Sequence, residues 1–234
     1  MTIQQDVKDL DEIRKHFGFE NISLLGYSYL GLMVVLYAHE NPGRVSRIIQ
    51  VGPVSLRFDT KYKDEFNYKD SIPAIDTIEN NKLNRLYSQN YHVKAPKEFC
   101  EMDWKVMKFM LVGDSANASK LEGVCDFENE WPVNLYRHFQ FHFRSVQSVQ
   151  TDFDELKNVQ CPILVIHGTK DRNASYGSGR EWAFRLSDAR LITVPNAAHN
   201  LWVEDDIFPE LDTFFHGAWP SRAARIEDDP ASQN

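Results

Sequence analysis

The chain has 234 residues, of which 34 are acidic and 26 basic, and its formal net charge is −8 at pH 7. This acidic balance disfavours a protein that binds the phosphate backbone of nucleic acids, which requires clustered Lys and Arg. No apolar run approaches the roughly 20 residues that span a bilayer, and the charged, amphipathic start MTIQQDVKDLDEIRK is unlike a secretory signal. We therefore predict a globular cytoplasmic protein without nucleic-acid or membrane partners.

The first 56 residues alternate between helix and strand. Residues 4–17 carry apolar side chains at helical spacing, and Gly18 ends that helix. The apolar segment NISLLGY predicts a short strand, residues 29–40 an almost wholly apolar helix, and RVSRIIQVG a second strand. This spacing is typical of parallel β/α units.

The pattern changes over residues 57–150, which are rich in charged and aromatic side chains. Helical stretches such as EFCEMDWKVMKFML occur there, and no buried parallel strand does, so this interval is predicted to be a helical insertion. The β/α pattern resumes over residues 151–218 with the strands CPILVIHG and ARLITV, a helix between them, and a last helix from about His199 to Phe215. Residues 219–234 lack apolar periodicity, which predicts a disordered tail.

The three cysteines, Cys100, Cys125 and Cys161, are widely spaced and form no C-x-x-C pair. Free thiols in a reducing cytoplasm are the default interpretation of such a set. His138 and His142 lie four residues apart, but no acidic or cysteine ligand accompanies them at the spacing of a metal site. We therefore predict neither a metal nor another cofactor.

Ser28 lies between the first strand and the following helix, in the string Gly26-Tyr27-Ser28-Tyr29-Leu30-Gly31. A G-x-S-x-G-like string is weak alone, but a preceding strand and a following helix are the context that a nucleophile elbow requires. Such a turn exposes the serine hydroxyl and directs the next backbone N–H, that of Tyr29, at an oxyanion. The second glycine normally falls at position 30 and here comes one residue later.

A nucleophilic serine needs a base, and the base needs an acid to orient it. Asp171 and His199 each follow a predicted strand, in VIHGTKDRNAS and TVPNAAHNLW. Loops after the carboxyl ends of parallel strands are where open α/β sheets gather their active sites, and the chain order Ser, Asp, His is that of α/β-hydrolases. Ser28, Asp171 and His199 are therefore the candidate catalytic residues.

The sequence resembles the α/β-hydrolase superfamily, and within it the proline-iminopeptidase-like branch. The segments RKHFGFENISLLGYSYLG, HENPGRVSRIIQVGP, PILVIHGTKDRNAS and VPNAAHNLW carry the resemblance, over roughly residues 4–217. It implies an α/β fold with a parallel sheet and a helical cap, with Ser28 as nucleophile, His199 as general base and Asp171 as its orienting acid. It further implies hydrolysis of an amide or ester in a small molecule or short peptide.

The segment CDFENEWPVN is similar to one with which iminopeptidases of this branch hold the free amino group of their substrate. Glu128 is the first candidate for that role, with Glu130 the second and Trp131 beside them. Solvated surface carboxylates are the alternative interpretation.

The resemblance also implies about four further strands upstream of the first helix, and a loop there that supplies the second oxyanion N–H. Nothing in residues 1–20 matches them, so Met1 is either an internal methionine of a longer protein or the start of a shortened relative. In either case, the NISLLGY strand is expected to expose an apolar edge that favours self-association. Besides an aminopeptidase, a carboxylesterase or thioesterase with the same triad and a catalytically silent interaction module stay open.

Overall fold

The computed structural model describes residues 2–57, 61–62, 65, 77–123, 125, 144 and 146–230. Its strands are β1 (Ile22–Tyr27), β2 (Val45–Val51), β3 (Ile163–Gly168) and β4 (Ala189–Val194). Its α-helices are α1 (Ile3–His16), α2 (Tyr29–Glu40), α3 (Thr77–Ser88), α4 (Tyr91–Lys94), α5 (Pro96–Met110), α6 (Tyr176–Arg185) and α7 (Phe208–Phe215). Short 3₁₀ helices cover Ser115–Lys120, Glu155–Asn158 and Leu201–Val203.

The four strands form one parallel sheet in the order β1-β2-β3-β4. Gly26 is the register partner of Gln50, and Val51 that of Ile166. The carboxyl ends of all four strands therefore lie at one edge of the sheet, where the predicted site residues follow them. This confirms the predicted α/β class with a parallel core.

The side chains of the two central strands are almost wholly buried, because helices cover both faces of the sheet. The helix α2 packs against β1 and β2, and its apolar sequence matches that burial. The N-cap of α1 is Thr2, whose hydroxyl accepts the Gln5 N–H, and Gly18 follows the helix with a φ of +69°.

Within the described residues, β1 pairs with β2 alone and leaves its other edge open. Two leucines on this side of the molecule are exposed, Leu25 at 43% and Leu30 at 44%. Self-association through this edge stays a prediction.

The elements described between β2 and β3 are all helical: α3, α4, α5 and two short 3₁₀ helices. The prediction of three free thiols is wrong there, because Cys100 and Cys125 form a disulfide with a Cα–Cα distance of 5.7 Å. Near the disulfide, the chain packs closely on α5, because an added Cβ at Gly123 would lie 2.3 Å from the Trp104 indole ring. Cys161 stays a thiol, and burial raises its pKa to about 11.

Two predictions for the carboxyl-terminal part are also wrong. The last helix begins at Phe208 rather than near His199, because the intervening chain forms the turn Leu201–Val203 and a loop. The segment after Trp219, predicted to be disordered, packs on the fold: the backbones of Ala224 and Leu191 exchange hydrogen bonds of 2.8 and 2.9 Å. Arg222 adds ion pairs with the acidic side chains of Asp205 and Glu210. Residues 231–234 lie outside the described residues.

No described helix is both long and apolar enough to cross a bilayer.

Candidate active site

Ser28 lies on a sharp turn between β1 and α2, with φ and ψ angles of 56° and −122°. A positive φ is strained for a residue with a Cβ, and such strain concentrates at functional sites. The turn is fixed from both sides, since the Ser28 N–H donates to the Val51 carbonyl at 2.8 Å and the Gly31 N–H donates to the Ser28 carbonyl at 3.0 Å. The Ser28 side chain is partly exposed.

The glycines around Ser28 permit this turn. A Cβ on Gly26 would lie 2.3 Å from the backbone oxygen of Leu30, a contact that no side chain can make. A Cβ on Gly31 would lie 3.0 Å from the Cβ of Pro53, so the displaced second glycine lets α2 approach the chain after β2. Leu30, where a glycine was expected, points its side chain to solvent and does not obstruct the elbow.

Asp171 and His199 form a buried pair at the ends of β3 and β4. The distance from His199 Nδ1 to Asp171 Oδ2 is 2.7 Å, and the two residues are only 3% and 2% exposed. The other oxygen of Asp171 accepts the backbone N–H groups of Asn173 and Ala174 at 2.8 and 2.9 Å. The carboxylate orientation is thus fixed by its own loop.

A second imidazole contacts the same carboxylate. His167 Nε2 lies 3.3 Å from Asp171 Oδ2 and 3.0 Å from the Ala174 carbonyl, and its ring is fully buried. Burial alone would raise the pKa of Asp171, but His199 and His167 outweigh that effect and hold the pKa below its usual value. The Asp171 side chain is therefore a carboxylate at neutral pH.

Two contacts bring the serine turn to the Asp171–His199 pair. The Tyr27 ring, directly before Ser28, lies 4.7 Å from the His199 ring between centroids, and its hydroxyl donates to Asn200 Oδ1 at 2.6 Å. Gly52 follows the residue that binds the Ser28 N–H, and a Cβ there would lie 3.2 Å from both Asp171 Oδ2 and His199 Nδ1. The three predicted catalytic residues are thus gathered at one edge of the sheet.

A comparison against family models agrees with this geometry. The model of the alpha/beta hydrolase fold matches residues 2–206. The chain belongs to the α/β-hydrolase fold family. Curated relatives in this family include the serine hydrolase BPHL of Mus musculus, 23% identical over 198 residues, and that of Homo sapiens, 23% identical over 200 residues. Each alignment covers 85% of this chain and 55% of the relative, so the chain spans about half the length of these proteins.

Solved α/β-hydrolase structures show the same fold. The meta-cleavage product hydrolase CumD from Pseudomonas fluorescens superposes with a TM-score of 0.66 at 16% identity, over 92% of this chain and 72% of that one. An α/β fold family hydrolase from Bacillus anthracis superposes with a TM-score of 0.59 at 20% identity, over 92% and 72%. At these identities the likeness concerns the fold.

The predicted oxyanion donor, Tyr29, begins α2, so its N–H belongs to the first turn of the helix. Its hydroxyl donates to Asp6 Oδ2 of α1 at 2.8 Å, which holds the start of α2 against α1. The predicted substrate-binding residues of this α/β-hydrolase, Glu128, Glu130 and Trp131, lie outside the described residues.

Two charged residues near the pair carry no signal in the sequence. Arg172 and Glu204 bind backbone groups of the segment after α5, at Val112 and Gly113 respectively. Each is close in sequence to a predicted catalytic residue, but its partners come from the middle of the insertion. No sequence spacing could have indicated these contacts.

Proposed function

We propose that this chain is a serine hydrolase that cleaves a carboxylic ester or amide through an acyl-enzyme. Ser28 is the nucleophile, His199 the general base and Asp171 the acid that orients the imidazole. The observation that carries the proposal is the buried 2.7 Å contact between His199 Nδ1 and Asp171 Oδ2 beside a serine with a φ of 56°. Neither the pair nor the strained serine is needed for a parallel sheet to fold.

The proposed chemistry follows from which nitrogen of the His199 ring carries the proton. Asp171 accepts the proton on Nδ1 of His199, so Nε2 carries the free lone pair. As Ser28 Oγ attacks the substrate carbonyl, Nε2 takes the hydroxyl proton and then delivers it to the leaving alcohol or amine. Water attacks the acyl-serine in the second half of the reaction, and its proton follows the same route.

Two parts of the site stabilise the charges that develop during these steps. The carboxylate of Asp171 stabilises the imidazolium that forms on His199, and its lowered pKa keeps it ionised to do so. The Tyr29 N–H and the helix start behind it favour the oxyanion. A second oxyanion donor typically contributes about 10²–10³ in kcat, so a chain without one is expected to hydrolyse its substrate more slowly by that factor.

The substrate class is proposed from the resemblance to iminopeptidases in the segment 125–134. There, Glu128 or Glu130 would hold the ammonium group of an N-terminal residue, with Trp131 beside it. An ester or thioester substrate requires no such carboxylate. N-terminal prolyl arylamides and short acyl esters are therefore the two substrate sets to compare.

Covalent labelling with a fluorophosphonate probe tests the proposal, since this probe reacts with a serine only when a base activates it. We expect labelling of the native chain, loss of labelling in Ser28→Ala, and full labelling in the control Ser23→Ala, which changes an exposed serine of β1. Both variants should unfold at nearly the wild-type temperature, because each removes one oxygen atom. Labelling that persists in Ser28→Ala refutes the assignment of the nucleophile, and a native chain that does not label favours a silent interaction module.

A further inference from the structure

The carboxylate of Glu204 lies between two segments that are far apart in the sequence. Its Oε2 accepts the N–H of Ala198, the residue before His199, at 2.7 Å. Its Oε1 accepts the N–H groups of Gly113 and Asp114 at 2.8 and 2.9 Å, and Oε2 is also 3.0 Å from the Gly113 nitrogen. Asn117 contributes a longer bond from its side-chain amide, at 3.3 Å. One carboxylate thus joins the His199 loop to the chain that follows α5.

Other contacts hold the same two segments together. The N–H of Asn200, the residue after His199, donates to the Leu111 carbonyl at 2.9 Å. On the acid side, the Arg172 guanidinium donates to the Val112 carbonyl at 2.8 Å. The backbones meet closely at Gly113, where an added Cβ would lie 1.7 Å from the Asn196 carbonyl oxygen. Residues 111–114 therefore lie directly against both loops that carry the Asp171–His199 pair.

We propose that Glu204 is a positioning residue for His199 and that it ties the position of the base to residues 111–114. This inference rests on the proposed function, in which His199 is the base. Three backbone N–H groups converge on Glu204, and an ionised carboxylate is the side chain that can accept all of them, since it has acceptor sites and no donor. A glutamine has one oxygen, and its NH₂ group would face the Ala198 or the Gly113 N–H.

The effect on catalysis comes from geometry rather than from contact with substrate. If the Ala198 N–H loses its partner, the loop that starts at Asn196 is free to shift, and Nε2 of His199 moves relative to Ser28 Oγ. A displacement of about 1 Å from a change away from the chemistry can lower the rate about 10²-fold. Residues 111–114 follow α5 directly, so a movement of α5 reaches the base through the same carboxylate.

The test compares Glu204→Gln with Asp206→Asn, a matched loss of one negative charge at an exposed position two residues away. For each chain, the rate of fluorophosphonate labelling, the kcat and KM for a short acyl ester, and the thermal midpoint are measured. Backbone hydrogen exchange is followed by mass spectrometry in peptides that cover 109–117 and 196–202. We expect Glu204→Gln to lower labelling and kcat by about 10- to 100-fold with KM nearly unchanged, and to raise exchange in both peptides together.

Wild-type rates in a folded Glu204→Gln chain overturn the proposal, as does an equal loss in Asp206→Asn. Glu204→Asp serves if the glutamine variant does not fold, because the shorter carboxylate keeps its charge but cannot reach both segments. It should lower kcat and raise exchange in at least one of the two peptides, and wild-type behaviour of this variant overturns the proposal as well. A wild-type chain that does not label refutes the proposed function instead, and the exchange of the two peptides then decides whether Glu204 joins them.

Discussion

Asp171→Asn should inactivate the chain through the tautomer of His199 rather than through loss of the fold. The new amide has two orientations in this site. In one, its oxygen keeps the two N–H groups of Asn173 and Ala174, now bound at 2.8 and 2.9 Å, and its NH₂ group faces His199 Nδ1. In the other, the NH₂ group faces those two backbone donors.

The second orientation leaves two backbone N–H donors without acceptors. An unsatisfied buried donor costs about 1–3 kcal/mol, so this orientation is less stable by about 2–6 kcal/mol. The first orientation is therefore expected, and it donates a proton to Nδ1. His199 must then carry its own proton on Nε2, where it cannot accept one from Ser28. A base held in the wrong tautomer lowers kcat by about 10³- to 10⁴-fold, or about 4–5 kcal/mol of transition-state stabilisation.

The assay is hydrolysis of a short acyl ester together with fluorophosphonate labelling at neutral pH, with Asp206→Asn as the matched amide substitution. We expect the variant to stay folded, to bind substrate with a similar KM and to lose kcat by the factor given. Retention of more than about one tenth of the wild-type kcat refutes the reasoning, and it would assign the orienting role to another carboxylate.

Further predictions concern the elbow, acid stability and the substrate. In urea unfolding, Gly26→Ala should lower the free energy of unfolding by roughly 3 kcal/mol, because its Cβ meets the Leu30 backbone. The control Gly18→Ala, which has open space around it, should lower it by only about 1–2 kcal/mol through its left-handed φ, and equal losses would contradict the clash. The carboxylate of Asp171 has a lowered pKa in the folded chain, so its contribution to stability is fully present above about pH 4 and is lost only as the pH falls through the folded pKa; the difference in unfolding free energy between wild type and Asp171→Asn should therefore be constant from pH 7 to about pH 5 and only begin to narrow by pH 3. Glu128→Gln should lower kcat/KM for a prolyl arylamide by about 10- to 100-fold and leave a short acyl ester nearly unaffected, and equal losses on both substrates would remove Glu128 from the site.

Sequence patterns predicted the core well because its signals are local. The strands and α2 are apolar runs bounded by turn residues, and each predicted boundary lies within about two residues of the observed one. The elbow was predictable for the same reason, since a glycine, a serine and a strand-to-helix junction are contiguous. The contact between Asp171 and His199 was predictable because each lies in the loop after a strand, and parallel strands bring such loops to one edge.

Two of the wrong predictions, those for the cysteines and for the segment after Trp219, concern contacts between distant segments. The Cys100–Cys125 disulfide joins α5 to a segment 25 residues further along the chain, and no cysteine spacing indicates that pairing. The segment around Ala224 has no apolar period, but it forms backbone hydrogen bonds with β4 that require none. The contacts of Glu204 likewise depend on backbone donors that the fold brings together.

The order of the sheet has a consequence for how the chain folds. A single helix separates the strands of the pair β1–β2, and another separates those of the pair β3–β4. By contrast, β2 and β3 pair, at Ile48 and Ile163, across the whole helical interval. Closing so long a loop is slow, so we expect the two local halves to form early and the seam between β2 and β3 to set the folding rate. The entropy that is lost when a loop closes depends only weakly on loop length, and each doubling of the loop costs about 0.6 kcal/mol more. Evolution can therefore lengthen, shorten or replace the interval between these strands at little thermodynamic expense, and new specificities can arise there while the seam is preserved.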